Sequence, residues 1–260
     1  MVNYGFSLYT FEYFLMILVR VASFVSVAPF FGMNTVPNRV KVGLSVFLAL
    51  ILYQVIVPKE VLEYSGVIEF AIIVLREGIT GLLIGFAANI CNSIIVFSGK
   101  VIDMEIGLAM ANMYDPTTNT QSGLTGTMYN YFIMLLLIIT DMHHYILRAL
   151  IDTYQLIPVN GTAFNWEHLM GTMMMFITDL MVLGFRIVLP IFATSMILNC
   201  ILGIMAKVAP QMNMFAVGMQ LKILIGFSII FLTIVLLPDI ANIIFREMRK
   251  MIVSVIEGMY

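Results

Sequence analysis

About six apolar runs, set apart by charged and turn residues, make up most of this chain: Phe11–Phe31, Val42–Val57, Val67–Phe97, Tyr129–Thr140, Leu169–Met205 and Ile223–Leu237. Stretches of this length and polarity specify helices that lie in lipid or among other apolar helices. Of the 260 residues, 61% are hydrophobic and 11% charged, against about 25% charged in an average soluble domain. Such a chain cannot cover its apolar surface with its own polar residues. The expected fold class is therefore all-α and membrane-associated. The third and fifth runs are long enough for one tilted helix or two shorter pieces, and Pro190 is placed to kink the fifth.

Charge narrows the reading further. A formal net charge of −2 argues against a nucleic-acid partner, which needs a basic face. The two cysteines, Cys91 and Cys200, both lie inside apolar runs, so disulfides do not organise the fold. No Lys or Arg precedes Arg20, so the first run lacks the positive leader of a signal peptide and is expected to stay in the mature chain. Arg20, Arg76 with Glu77, Arg186, Lys207 and Lys222 sit in or at the rim of helical stretches. At about 2.5–3.5 kcal/mol each at a helix centre, they should face protein or water.

Two runs are short for a bilayer. Those between Lys41 and Pro58 and between Lys222 and Asp239 reach about 24 Å of a roughly 30 Å hydrocarbon core, a mismatch that bilayer thinning or packing among other subunits accommodates. The basic residues Arg39 and Lys41 place the N-terminus outside, and Lys207 and Lys222 place the penultimate loop inside. A six-span path then leaves Arg246, Arg249 and Lys250 outside, against the same rule.

Within the third run, Gly78, Gly81, Gly85, Ala88 and Asn92 recur at helical spacing and form one small-residue seam. Gly81 and Gly85 are a GxxxG pair, suited to close helix approach. The long break in the apolar pattern runs from Gly107 to Gly126, GLAMANMYDPTTNTQSGLTG. Asp115-Pro116 opens a turn there, and an unstructured stretch of this length is usually functional or disordered. Its first half holds Met110, Met113 and Tyr114. It reads either as an exterior connector or as a re-entrant loop lining a cavity.

No HExxH, Cys-x-x-Cys, Walker, GxSxG or dinucleotide fingerprint occurs, so no enzymatic activity and no cofactor are expected. His143 and His144 are adjacent and do not share one helix face as an i, i+4 metal pair would; they read as an interfacial pair. His168 and Trp166 fit an interfacial anchor. The 22 methionines are scattered and read as adaptable packing rather than as metal ligands.

Four stretches together resemble the FliR family, whose injectisome relatives are called SctT. They are APFFGMNTVPNRVKVGLSVFLAL (Ala28 to Leu50), REGITGLLIGF with FSGKVIDMEIGLAMANMYDP (Arg76 to Pro116), DMHHYILRALIDTYQLIP (Asp141 to Pro158) and LGIMAKVAPQMNMFAVGMQLKILIGF (Leu202 to Phe227). Lys207 stands where many relatives carry Arg, which keeps the charge but not a bidentate fork.

The resemblance implies a single domain over residues 1–260, built of stacked helical hairpins, with the C-terminal one over residues 169–260. It implies a structural, pore-forming subunit of the flagellar type III export gate, in the bacterial inner membrane at the flagellar basal body. FliP, FliQ and FlhB would be its partners and unfolded flagellar subunits its cargo. The loop carrying Gly107, Asp115, Pro116, Gly123 and Gly126 would plug the pore. Met110 and Met113 match the bulky positions near its start, and Tyr114 follows them. The cationic flanks Lys207 and Lys222 put the turn at Pro210 and Gln211 on the cytoplasmic side, where it would form the mouth of the conduit. The alternative is an independent secondary transporter or channel that uses the midmembrane charges as a small-solute site.

Overall fold

The computed structural model describes residues 8–33, 35–56, 64–108, 123–211 and 213–260. Among these the fold is all-α: α1 (Leu8–Val27), α2 (Asn38–Val55), α3 (Val67–Ile90), α4 (Asn92–Ile106), α5 (Leu124–Ile139), α6 (Met142–Leu156), α7 (Trp166–Val208), α8 (Met214–Thr233), a 3₁₀ turn (Ile234–Leu236) and α9 (Leu237–Glu257). Four helical stretches are long and apolar enough to cross a membrane, and a fifth is added if α5 and α6 count as one broken span.

Local chemistry sets most of the boundaries. Pro37, at φ −58°, precedes α2, where its missing N–H would have had no helical partner. Gly107 closes α4 in the left-handed region at φ 88°, a position that a side chain would strain. Asp141 adopts φ 56° and separates α5 from α6. The side-chain oxygen of Asn165 accepts from His168 N–H at 3.1 Å at the start of α7, and that of Asn213 accepts from Ala216 N–H at 3.3 Å at the start of α8. Both are N-cap bonds that satisfy otherwise orphaned donors.

The third apolar run is two helices, broken at Cys91, whereas the fifth is one helix of 43 residues with Pro190 inside it. Gly123 is the N-cap of α5, and Gly126 lies in its first turn, so the placing of these two glycines in the loop is corrected to a helix start.

Contacts divide the chain into two compact units. The first comprises residues 1–90, 141–176 and 247–260, and the second residues 91–140 and 177–246. In the first, α1 packs between α2 and α3, with Met16, Ile17, Val21, Phe24 and Ile84 fully buried. In the second, α4 packs on α5 and touches α8, with Ile94, Ile102, Ile106 and Leu137 in the core. Lipid is as apolar as these side chains, so close van der Waals fit and polar contacts hold such helices together.

Candidate functional site

The closest approach in the first unit runs along the seam of α3. A Cβ on Gly81 would collide with the Arg20 carbonyl oxygen and Ser23 Oγ, and one on Gly85 would lie 2.8 Å from the Phe24 carbonyl oxygen. The two carbonyls are backbone atoms, which cannot swing away. Gly78 differs, because a Cβ there would rest 3.5 Å from Val19 Cγ1, an ordinary contact. Ala88 is fully buried. Asn92 belongs to α4, beyond the Cys91 break.

This approach encloses a polar centre that the sequence did not reveal. Arg20 and Glu77 are both fully buried and meet as a fork: Nε donates to Glu77 Oε2 at 2.6 Å and Nη2 to Oε1 at 3.0 Å. Arg20 Nη1 donates to the Ile157 carbonyl oxygen at 3.0 Å, and Glu77 Oε1 also accepts from Asn160 N–H at 2.9 Å. The guanidinium carbon lies 4.3 Å from the centre of the Tyr154 ring. A buried pair is stabilising only when such extra bonds satisfy both ions, and here they do. The pair also holds the 157–160 segment against α1 and α3. Only the placement of an Arg and a Glu in apolar runs hinted at it. The partner of Glu77 is Arg20, rather than its neighbour Arg76.

The second unit has a comparable contact at the stems of the long loop. A Cβ on Gly99 would collide with Gly126 Cα, so α4 and α5 cross backbone to backbone there. One turn on, Asp103 is 3% exposed and accepts from Thr125 N–H at 3.2 Å on each oxygen. It fills the space beside Gly123, where a Cβ would strike its carboxylate. The carboxylate thus caps α5 from α4. Burial pushes its pKa up, while its bonds to Thr125 and Gly126 pull it back down. On the other side of α4, Ser195 Oγ donates to Glu105 Oε2 at 2.9 Å. Met110, Met113, Tyr114, Asp115 and Pro116 lie outside the described residues, so the described part of the loop site is its two stems, Gly107 and Gly123–Gly126.

The turn after α7 exposes Lys207, Pro210 and Gln211. A Cβ on Gly218 would lie 3.1 Å from Leu202 Cδ1, so α7 and α8 fold back on each other as a hairpin beside it. Asp141, His143 and His144 are the group of described residues whose potential metal-ligand atoms come together, all within 4.8 Å of one another. The two rings lie with centroids 4.0 Å apart, tilted by 39°, closer than their adjacency suggested. His144 Nδ1 lies 3.3 Å from Asp141 Oδ1.

The two units therefore present close helix crossings and buried polar caps. This is the architecture of a helical membrane component. The family model described as "Bacterial export proteins, family 1" matches residues 11–248, and the chain belongs to that family. It is 28% identical over 251 residues to the flagellar biosynthetic protein FliR of Bacillus subtilis strain 168, covering 96% of this chain and 93% of the relative. It is 23% identical over 244 residues to FliR of Escherichia coli K12, covering 92% and 90%. FliR of Aquifex aeolicus is 28% identical over 236 residues, covering 89% and 88%. An export family leaves the freestanding solute transporter without support.

Proposed function

We propose that this chain is a structural, pore-forming subunit of a flagellar type III export gate in the bacterial inner membrane, where it helps to form and seal the conduit for unfolded flagellar subunits. The match to export proteins from residue 11 to residue 248 carries this reading. The length of α7 supports the need for protein partners. Its 43 residues extend about 65 Å, roughly twice a bilayer core. Met170 near one end is 67% exposed and Val208 at the other 79%. Both ends cannot lie in one hydrocarbon core, which leaves apolar surface there for other subunits to cover.

In this reading FliP, FliQ and FlhB are those subunits. Met110, Met113 and Tyr114 close the resting conduit as a hydrophobic constriction, and Lys207, Pro210 and Gln211 lie at its cytoplasmic mouth. Co-expression with and without FliP and FliQ, followed by native mass measurement, tests the assignment. A defined mixed complex is expected. A chain that is equally stable and monomeric in both conditions refutes it.

A further inference from the structure

The second unit carries a half-open cavity of about 280 Å³ between α7, α9 and the end of α8, near the lower edge of the roughly 300–1,000 Å³ of ligand sites. Its walls are apolar, with Ile187, Pro190, Leu236 and Ile240 among them, yet Arg186 and Asp239 also line it. Both are exposed. Among the described residues they form no ion pair, with each other or with anything else. Pro190 adds a third polar feature. It has no N–H, so the carbonyl four residues earlier, that of Arg186, loses its usual helical donor. One apolar groove therefore presents an unpaired cation, an unpaired carboxylate and an extra carbonyl acceptor.

Their level along the chain is informative. Residues 187–206 contain no charge, and 187–208 reach about 33 Å. After the turn at Pro210, α8 returns over 20 residues, about 30 Å. Lys222 is the single charge on that return, and its long stem lets the ammonium rise towards the turn. Each leg of this hairpin matches a roughly 30 Å hydrocarbon core. If the turn marks one face of the bilayer, Arg186 and Asp239 stand at the other, at headgroup depth.

We propose that this groove binds the headgroup of a zwitterionic phospholipid with a primary amine, phosphatidylethanolamine. The phosphate meets the Arg186 guanidinium. The ammonium donates to the Asp239 carboxylate and the freed Arg186 carbonyl, and the glycerol end lies against Ile187 and Leu236. A purely anionic lipid would leave Asp239 facing like charge, and a quaternary ammonium has no N–H to donate.

The full chain, purified in detergent with equal amounts of phosphatidylethanolamine, phosphatidylglycerol and phosphatidylcholine, is examined by native mass spectrometry. Retained phosphatidylethanolamine should exceed each of the others about tenfold, the ratio that one charge-assisted contact of about 1.4 kcal/mol gives. Asp239→Asn should bring the ratio to parity and Arg186→Gln should lower retention of all three lipids, each of which carries the phosphate, whereas Arg186→Lys and Arg148→Gln, in the first unit, should leave both ratio and retention unchanged. Equal retention of the three lipids by the unaltered chain overturns the proposal, whether or not a variant folds. So does a preference that survives Asp239→Asn, retention that Arg186→Gln leaves unchanged, or a groove that loses its lipid when unlike subunits assemble on the chain.

Discussion

Replacing Arg20 by Met removes the cation from the centre of the first unit and leaves its shape nearly filled. The Glu77 carboxylate, fully buried, then keeps one of its three donors, Asn160 N–H, and loses both guanidinium bonds. The Ile157 carbonyl loses its Arg20 bond as well. Stranding one member of a buried pair costs about 3–5 kcal/mol. Glu77→Met alone should cost a similar amount, because it strands Arg20. The double variant removes both charges and leaves only Ile157 O and Asn160 N–H short of a partner, about 1–3 kcal/mol each. The two substitutions must therefore couple by several kcal/mol instead of adding. Unfolding of the purified chain in graded SDS–detergent mixtures, run as a double-mutant cycle, reads this directly. Single losses below about 1 kcal/mol, or a double loss equal to the sum of the two, would refute the argument that this pair ties the unit together.

Gly81→Leu should weaken the α1–α3 contact by about 1–3 kcal/mol and lower complex yield and motility, while Gly78→Ala should not, because only Gly81 faces backbone; equal effects would contradict the seam. For Asp103, burial raises the folded pKa above the ordinary 3.8, so the folded state holds its proton longer than the unfolded one. Stability from this group is thus present below pH 3.8 and is lost as pH rises through the folded pKa. Asp103→Asn should flatten that slope in a pH series of thermal melts, and an unchanged slope would exclude Asp103 as its source. Replacing Met110 and Met113 with Gly should leave the assembled complex intact but raise its conductance in planar bilayers; an assembled, non-leaking variant contradicts the plug. A cysteine in place of Gln211 should react with a membrane-impermeant thiol reagent from the cytoplasmic face, and labelling only from outside would reverse the orientation.

The helical class and the first two helices were legible because periodic apolar runs end at Pro37 and at the charged stretch before Val67. The break at Cys91 was not, because the apolar pattern continues through it. Gly123 and Gly126 read as part of the loop, yet one is a cap and the other admits a neighbouring backbone. Glycine signals flexibility and close packing alike, and only the Gly99 contact separates the two. Helix α9 escaped notice because Arg246, Glu247, Arg249 and Lys250 interrupt its hydrophobicity, while its buried positions, Ile244, Met248, Met251, Ile252 and Val255, recur at helical spacing. Arg20 and Glu77 were each visible, but pairing residues 57 positions apart requires the fold.

The same pair imposes a delay on biosynthesis. Arg20 and Glu77 leave the ribosome well before the groups that complete their bonding, since Asn160 follows Glu77 by 83 positions. At about 5–20 residues per second, translation takes roughly 4–17 s to cover that distance. For those seconds a pairing of α1 with α3 would lack the donor and acceptor that the 157–160 segment supplies. A hairpin in that state is better accommodated beside water or an insertion partner than in open lipid. The first unit thus completes the bonding of its buried charges only once residues 157–160 arrive.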